Sequence, residues 1–331
     1  MEDLNWAVLG TGVIANEMAQ TLQKMGKTLY AVANRTPAKA VAFGEKYGVT
    51  RVYDRMEDVF TDPNVHVIYL TSPHNTHYGF VKQGLANGKH MLVEKSITLN
   101  SRELEELVCL AKAKDLVLAE AMTIWHMPLY KKLWQMVETG ALGKVQMITM
   151  NFGSFKDYDM TNRFFNRSLA GGAMLDIGVY ALSIVRSFME SCPTRLCSQM
   201  LPAPTGVDEQ ATILLQNDRG QMATVALSLH AKQPKRAVIS GEKGYLEIME
   251  YPRGDKAIFV DAKTGEVTEI TCGKTADALF YEMQDMEEAI RTKDTAVMKL
   301  ELTRDVMGIM TKLRESWGLT YPEEESDGRK A

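Results

Sequence analysis

Three side chains in this sequence have the types and placement to work on one reacting oxygen: Lys95, Asp176 and Tyr180. Lys95 follows His90-Met91-Leu92-Val93-Glu94, an apolar run that reads as a strand, so its ammonium stands just past the strand's carboxyl end. A lone lysine is ordinarily solvated, but at a strand end beside a nucleotide site a functional role is favoured. Asp176 and Tyr180 fall in Gly171-Gly172-Ala173-Met174-Leu175-Asp176-Ile177-Gly178-Val179-Tyr180 at the start of a helical pattern. Four residues apart, they share a helix face. The same spacing would serve a buried Asp–Tyr pair that merely tethers the helix. A phenol with a reference pKa of about 10 exchanges protons near neutrality only with help, and a nearby ammonium gives that help by favouring phenolate. Tyr180 is therefore the expected general acid/base. Lys95 would steady the same oxygen, and Asp176 would orient Lys95 or a substrate hydroxyl.

The elements that must position these groups begin at the amino terminus. Asn5-Trp6-Ala7-Val8-Leu9 is a short apolar run leading into Gly10-Thr11-Gly12-Val13-Ile14-Ala15. That order, a strand, then G-x-G-x-x-A, then a helix, suits a dinucleotide pyrophosphate. The first glycine makes the tight turn, the second admits the phosphates, and small Ala15 brings the helix onto the sheet. The second strand ends at Asn34-Arg35-Thr36. An NAD site places an acid near there for the ribose 2′-hydroxyl, whereas Arg35 suits a 2′-phosphate by charge and bidentate fit. NADP(H) is the expected cofactor, with NAD(H) as the alternative. Thr71-Ser72-Pro73-His74-Asn75-Thr76-His77 follows a strand and opens a helix, so Thr71, Ser72, Pro73, His74 and His77 are assigned to the cofactor side together with Glu94.

Strands at Trp6–Leu9, Thr28–Ala33, Val65–Leu70, His90–Val93 and Val117–Ala119 alternate with helices at Ile14–Met25, Pro37–Tyr47, Met56–Phe60, His77–Asn87 and Ser101–Lys114. Asn100 and Glu103 form a start signal for the last helix. Such alternation implies a doubly wound parallel sheet with its ligand crevice beyond the strands' carboxyl ends. After about Ala121 the pattern changes. Helices at Pro128–Glu138 and Gly172–Met189 and a run of alternating strands predict an α+β domain whose sheet is largely antiparallel. Asn217-Asp218-Arg219-Gly220 marks a hairpin turn within it. Helices at Asp277–Arg291 and Ala296–Glu315 close the chain. The expected division is residues 1–121, 122–322 and a disordered charged tail at 323–331.

With 331 residues the chain has room for two domains. A net charge of −4 and a pI near 5.9 give no footprint for nucleic acid. Cys109, Cys192, Cys197 and Cys272 suit neither a zinc site nor a disulfide framework, which leaves buried free thiols. The beginning MEDLNW has no basic signal region, and no 18-residue apolar segment is evident; a soluble cytoplasmic protein with no membrane role is expected. The 21 methionines read as adaptable core filler rather than a metal site.

These segments together resemble the glucose–fructose oxidoreductase / inositol dehydrogenase / MocA family over nearly the whole chain. Gly10, Gly12 and Ala15 match its glycine motif. Glu94-Lys95 matches its E-K-P, with Ser96 in place of proline. Gly171 to Tyr180 matches its G-G-x-x-x-x-D-x-G-x-H, with Tyr for His. The tyrosine, with Glu120-Ala121-Met122 and Trp125, looks most like the dimeric dihydrodiol dehydrogenase branch, which also holds NADP-dependent D-xylose dehydrogenases. The resemblance implies a hydride exchanged between nicotinamide and a sugar, polyol, dihydrodiol or small dicarbonyl. It also implies an open-faced second sheet through which copies assemble as a dimer or tetramer. Trp125, Phe155, Arg163 and Phe164 are candidate substrate-pocket walls. Two other readings stand beside it: a regulator that binds the dinucleotide without turnover, and a redox-neutral enzyme that recycles a tightly held nicotinamide.

Overall fold

The computed structural model describes residues 4–326, and the chain divides into two units. The first comprises Met1–Thr98, Arg102–Met122 and Ala276–Leu300; the second comprises Leu99–Ser101, Thr123–Thr275 and Glu301–Ala331. The sequence boundary near residue 121 thus corresponds to one crossing of the chain. A later stretch, Ala276–Leu300, also belongs with the first unit.

In the first unit the elements run β1 (Trp6–Leu9), α1 (Val13–Lys24), β2 (Ala31–Ala33), α2 (Pro37–Tyr47), β3 (Arg51–Tyr53), α3 (Met56–Thr61), β4 (Val67–Leu70), α4 (His77–Ala86), β5 (His90–Glu94), α5 (Ser101–Ala113) and β6 (Leu118–Ala121). Their six strands form one parallel sheet in the order β3-β2-β1-β4-β5-β6. Every residue of β1, β2, β4 and β6 is buried, as a sheet covered on both faces requires. β3 was not anticipated. It has three residues, none of them buried, so it shows neither alternation nor an apolar run. Asn100, expected to cap α5, gives its side-chain amide to Glu324 of the second unit's own chain segment (2.9 Å).

The second unit holds α6 (Pro128–Glu138), β7 (Val145–Gly153), α7 (Val179–Phe188), β8 (Arg195–Pro202), β9 (Asp208–Gln216), β10 (Met222–Ser228), β11 (Gln233–Gly241), β12 (Gly244–Met249), β13 (Lys256–Asp261) and β14 (Val267–Thr271). Its eight strands are ordered β14-β13-β12-β11-β7-β10-β9-β8, and only β7 and β10 pair in parallel. α7 packs across β7, β10 and β11 on one face. Strand alternation sets the two faces apart: Ala211, Ile213 and Leu215 of β9 are buried, while Gln210, Thr212 and Leu214 are exposed. Asn217 Oδ1 receives the backbone N–H groups of Arg219 and Gln221, closing the β9–β10 hairpin as expected.

α8 (Ala278–Thr292) returns to the first unit, where Leu279, Met283, Met286 and Ala289 join the core around Trp6, Met18, Leu22 and Tyr69. The Trp6 indole donates to Glu287 (3.0 Å), which also takes Lys27 (2.6 Å). α9 (Leu300–Ser316) and α10 (Pro322–Ser326) end the described chain.

Four expectations are corrected. The tail is helical as far as residue 326: Glu324 is buried and pairs with buried Arg314, which also donates to the carbonyls of Leu99 and Leu319. Residues 327–331 lie outside the described residues. Cys109 and Cys197 are exposed rather than buried, though all four thiols are free. A window within 167–188 is apolar enough to span a membrane by composition, and 83% of it is buried inside the protein, so its apolarity serves the core. The helix expected from Gly172 opens as a π turn, Met174–Gly178, before α7 begins. Most methionines do fill the core, but Met147, Met222 and Met249 are exposed on the uncovered sheet face.

Candidate active site

At the carboxyl edge of the parallel sheet, Gly10 has φ +112°, and a Cβ there would lie 2.4 Å from Thr71 Oγ1. Its N–H donates to Ala33 O (2.9 Å), while Thr71 N and Oγ1 both donate to Leu9 O. The ends of β1, β2 and β4 are thereby laced together around a residue that must be glycine. Gly12 precedes α1 with no side-chain cap, the first turn carries no acid, and a Cβ at Gly12 would meet nothing within 4 Å. Val13 is 80% exposed at the same helix start, Ile14 is half-buried and Ala15 is fully buried against the sheet. Unclaimed N–H groups beside open space form a seat for an anion. The residues fit a dinucleotide pyrophosphate.

The flanking loops are ordered by their own side chains. Asn34 donates to Thr11 Oγ1 (2.8 Å) and accepts the Thr36 N–H (2.8 Å), leaving Arg35 exposed with no acid beside it on this turn. Ser72 Oγ lies 2.6 Å from Thr76 Oγ1, which donates to Pro73 O (2.7 Å). Glu94 accepts from the Tyr69 hydroxyl. Half-buried Lys95 follows, and its peptide bond to Ser96 is cis without proline. Ile97 N donates to the buried carboxylate of Glu120 (3.1 Å), a residue noted in the sequence for resemblance but not for this task.

In the second unit the Gly171–Gly172 pair lets the chain pass where no Cβ fits. At Gly171 a Cβ would lie 2.7 Å from the carbonyl oxygens of Arg163 and Phe164; at Gly172, φ +122°, it would lie 2.1 Å from Asp208 Oδ1. Asp208 Oδ2 accepts the Met174 N–H at 2.5 Å, fastening the start of the π turn. Burial pushes the Asp208 carboxyl up to about 7, against the pull of that N–H and of Arg314. Sequence reasoning missed Asp208, whose position at the head of a strand carries no signal of its partner 34 residues away.

Asp176 lies buried in the π turn and pairs with Arg163 Nη1 at 3.6 Å. Tyr180, half-buried in α7, has its ring 6.2 Å from that of Phe152. Arg163 also lies over the Phe164 ring (4.2 Å), which Lys156 Nζ approaches to the same distance. Phe155 is 58% exposed and stacks on His230 (5.2 Å). Trp125 departs from its expected role as a pocket wall: it is 0% exposed, with its ring 6.3 Å from Trp134, and belongs to the core of its unit. Within each unit, then, the expected groups cluster. Lys95 shares one sheet edge with the glycine turn, and Asp176, Arg163 and Phe164 stand together near the start of the helix that carries Tyr180.

Residues 4–122 match the family model described as an oxidoreductase family with an NAD-binding Rossmann fold, and residues 130–247 match the GFO/IDH/MocA C-terminal domain. A trans-1,2-dihydrobenzene-1,2-diol dehydrogenase of Xenopus tropicalis is 27% identical over 328 residues, covering 96% of this chain and 99% of its own. The Homo sapiens protein of the same name is 27% identical over 332 residues, covering 97% and 99%. Among solved structures, KijD10, a 3-ketoreductase from Actinomadura kijaniata in complex with NADP and TDP-benzene, superposes with a TM-score of 0.85 at 18% identity, covering 95% of this chain and 98% of that one. A levoglucosan dehydrogenase in complex with NADH and levoglucosan superposes with a TM-score of 0.83 at 17% identity, covering 95% and 98%.

Proposed function

This chain belongs to the GFO/IDH/MocA oxidoreductase family, a family of nicotinamide-dependent enzymes, and we propose that its own reaction is NADP(H)-dependent oxidation or reduction of a CH–OH/C=O pair. The substrate class proposed is a sugar, polyol, vicinal dihydrodiol or small dicarbonyl. The observation that carries the reading is that the open, acid-free glycine turn and Lys95 stand at one edge of one parallel sheet, beyond the ends of β1 and β5. An ammonium at that edge would be available to the oxygen on the reacting carbon of a substrate lying against a bound dinucleotide.

The cofactor, when bound, supplies or accepts the hydride. The pyrophosphate would rest on Gly10, Thr11, Gly12, Val13 and Ile14. Arg35, flanked by Asn34 and Thr36, would take the 2′-phosphate. Thr71, Ser72, Pro73, His74 and Glu94 would border the nicotinamide ribose, whereas His77, expected there from the sequence, is fully buried with both ring nitrogens on carbonyl oxygens and supports that loop from within. Tyr180 gives or takes the hydroxyl proton, and Lys95 hydrogen-bonds the same oxygen, favouring phenolate and offsetting developing negative charge. Asp176, charge-paired with Arg163, is placed to orient a substrate hydroxyl. Arg163 and Phe164 offer a charged fork beside an aromatic face, a combination that suits a hydroxylated ring.

Assembly through the second sheet belongs to the same proposal. Its uncovered face carries Met147 beside Met222 and Leu214 beside Thr224, with Met249 and Val267 farther along. Exposed Met, Leu and Val side chains set among polar ones on a sheet face of this breadth suit a second copy of the chain.

An absorbance screen with NADPH and NADP+ over aldoses, ketoses, inositols, dicarbonyls and dihydrodiols, in both directions, tests the reaction. Turnover is expected with at least one class. Tight NADP(H) binding with no turnover anywhere would favour a regulator, and product formed without net cofactor change would favour the redox-neutral reading. Tyr180→Phe is expected to lower kcat by roughly 10²–10⁴-fold with cofactor affinity nearly unchanged. Wild-type turnover in that variant removes Tyr180 from the chemistry.

A further inference from the structure

His77 opens α4 fully buried, and both of its ring nitrogens face carbonyl oxygens: Nδ1 is 2.9 Å from Ser96 O and Nε2 is 2.8 Å from Ser72 O. His74, three residues earlier, brings Nε2 within 3.0 Å of Lys95 O, and the two rings meet edge to face at 5.8 Å. The carbonyl of the cis peptide and the one after it are thus each held by a histidine from the loop that follows β4. On the far side Glu120 holds the Ile97 N–H, and Tyr69 holds Glu94. The ties to this segment fall on Glu94, Lys95, Ser96 and Ile97, and all of them join segments of the first unit.

From this lattice we infer that His77 is a positioning residue for Lys95, clamping the segment after β5 to the Ser72 loop so that the ammonium is presented in one place. The inference rests on the reading of Lys95 as the group that steadies the reacting oxygen. It deepens that reading by naming what fixes the group. A flexible lysine contributes in proportion to how little it must reorganise when charge develops. Fixing the backbone from which the side chain starts is a contribution the fold makes through these ties.

The clamp has a proton requirement. A neutral imidazole owns one N–H and can serve only one of the two carbonyls, whereas the cation serves both. Burial presses His77 towards the neutral form, while the carbonyls of Ser72, Ser96 and Ile97 draw it back towards the cation. The His74 ring meets it edge to face at 5.8 Å, and burial and backbone carbonyls, rather than a neighbouring charge, govern its titration. Burial prevails and holds His77 below the ordinary imidazole value, so an opened segment takes up the proton more readily than the closed one, and the Lys95 segment loosens as pH falls through the titration of His77.

Hydrogen exchange at the Ile97 amide reads the clamp without any turnover. His77→Phe keeps volume and removes both donors; His77→Gln keeps one donor and guards against a variant that fails to fold. Ile97 protection is expected to fall by about tenfold in His77→Phe, and less in His77→Gln. Protection corrected for intrinsic rate should fall as pH is lowered in the native protein and stay flat in both variants. In turnover, His77→Phe should lower kcat by up to about 10²-fold with NADPH affinity unchanged. It should add nothing further in a Lys95→Ala background, because the two act as one unit. Unchanged Ile97 protection, or the same fold loss in kcat with and without Lys95, overturns the inference. A protein with altered exchange but no redox turnover on any substrate keeps the clamp and discards the reading of Lys95.

Discussion

Two single residues carry separate predictions, Arg35 for the proposed cofactor preference and Asp208 for stability against pH, and the two rest on different physics. Arg35 is exposed, and its neighbours Asn34 and Thr36 are tied to each other and to Thr11 rather than to it. Replacing it should therefore leave the loop intact and remove only the charge that would meet a 2′-phosphate. Arg35→Ala is expected to weaken NADPH binding by roughly tenfold or more while NADH affinity barely moves, as read by fluorescence titration of both. Equal losses for the two cofactors would place Arg35 elsewhere. Asp208 is buried, and its carboxyl is held at about 7 against a usual value near 3.8. The folded chain then binds that proton more tightly than the unfolded chain does. Stability from this group falls as pH rises from about 4 to about 7 and stays low above. Asp208→Asn keeps an oxygen for the Met174 N–H and abolishes the titration. Paired melts should show the variant gaining on the order of 4 kcal/mol over the native protein at pH 8, with the gap closing towards pH 4. A gap that stays constant with pH would mean that Asp208 remains ionised throughout.

At the level of elements, the two glycine turns are the places where backbone freedom decides whether the site forms. Gly172→Ala must accept φ +122° and a Cβ 2.1 Å from Asp208 Oδ1, just where the π turn is fastened. A loss of about 3 kcal/mol in denaturant melts is expected. Gly206→Ala is the control, since φ is +87° there with nothing within 4 Å. It should cost only about 1 kcal/mol, the price of the left-handed backbone alone. Equal losses would show that the clash is relieved by relaxation. These turns were legible in the sequence because Gly10 and Gly12 follow four wholly buried residues and precede a helix, a context local enough to read. The π turn was not legible, since one extra residue in a helical turn leaves the apolar pattern almost unchanged. β3 was hidden by its three half-buried and exposed residues. Trp125 was taken for a pocket wall because an aromatic near a site motif looks functional, whereas its burial is set by α6 and Trp134, which no local pattern reports. The histidine ties to Lys95 O and Ser96 O span 21 and 19 residues, and long-range pairing of that kind becomes visible only when β4 and β5 are placed side by side.

For the whole molecule, the uncovered face of the eight-stranded sheet is the feature a lone chain leaves unexplained. Leu214 faces Thr224, and Met147 faces Met222, across ladders whose other side is filled by α7. On the proposed assembly, light scattering should show the native protein as a dimer or tetramer and a Leu214→Arg, Met147→Lys double variant as a monomer. An unchanged mass would remove this face from assembly. The chain's itinerary carries a different consequence. The nucleotide-binding unit ends its continuous run at Met122, yet Met283, Met286 and Glu287 reach its core only after the polypeptide has built the other unit. A ribosome releasing this protein has therefore synthesised more than 150 residues between the first and last pieces of one hydrophobic interior. Until Glu287 emerges, Trp6 waits without its carboxylate. Anyone transplanting this half onto a foreign catalytic partner must carry two separate cassettes, because a gene cut at the apparent border encodes an incomplete core.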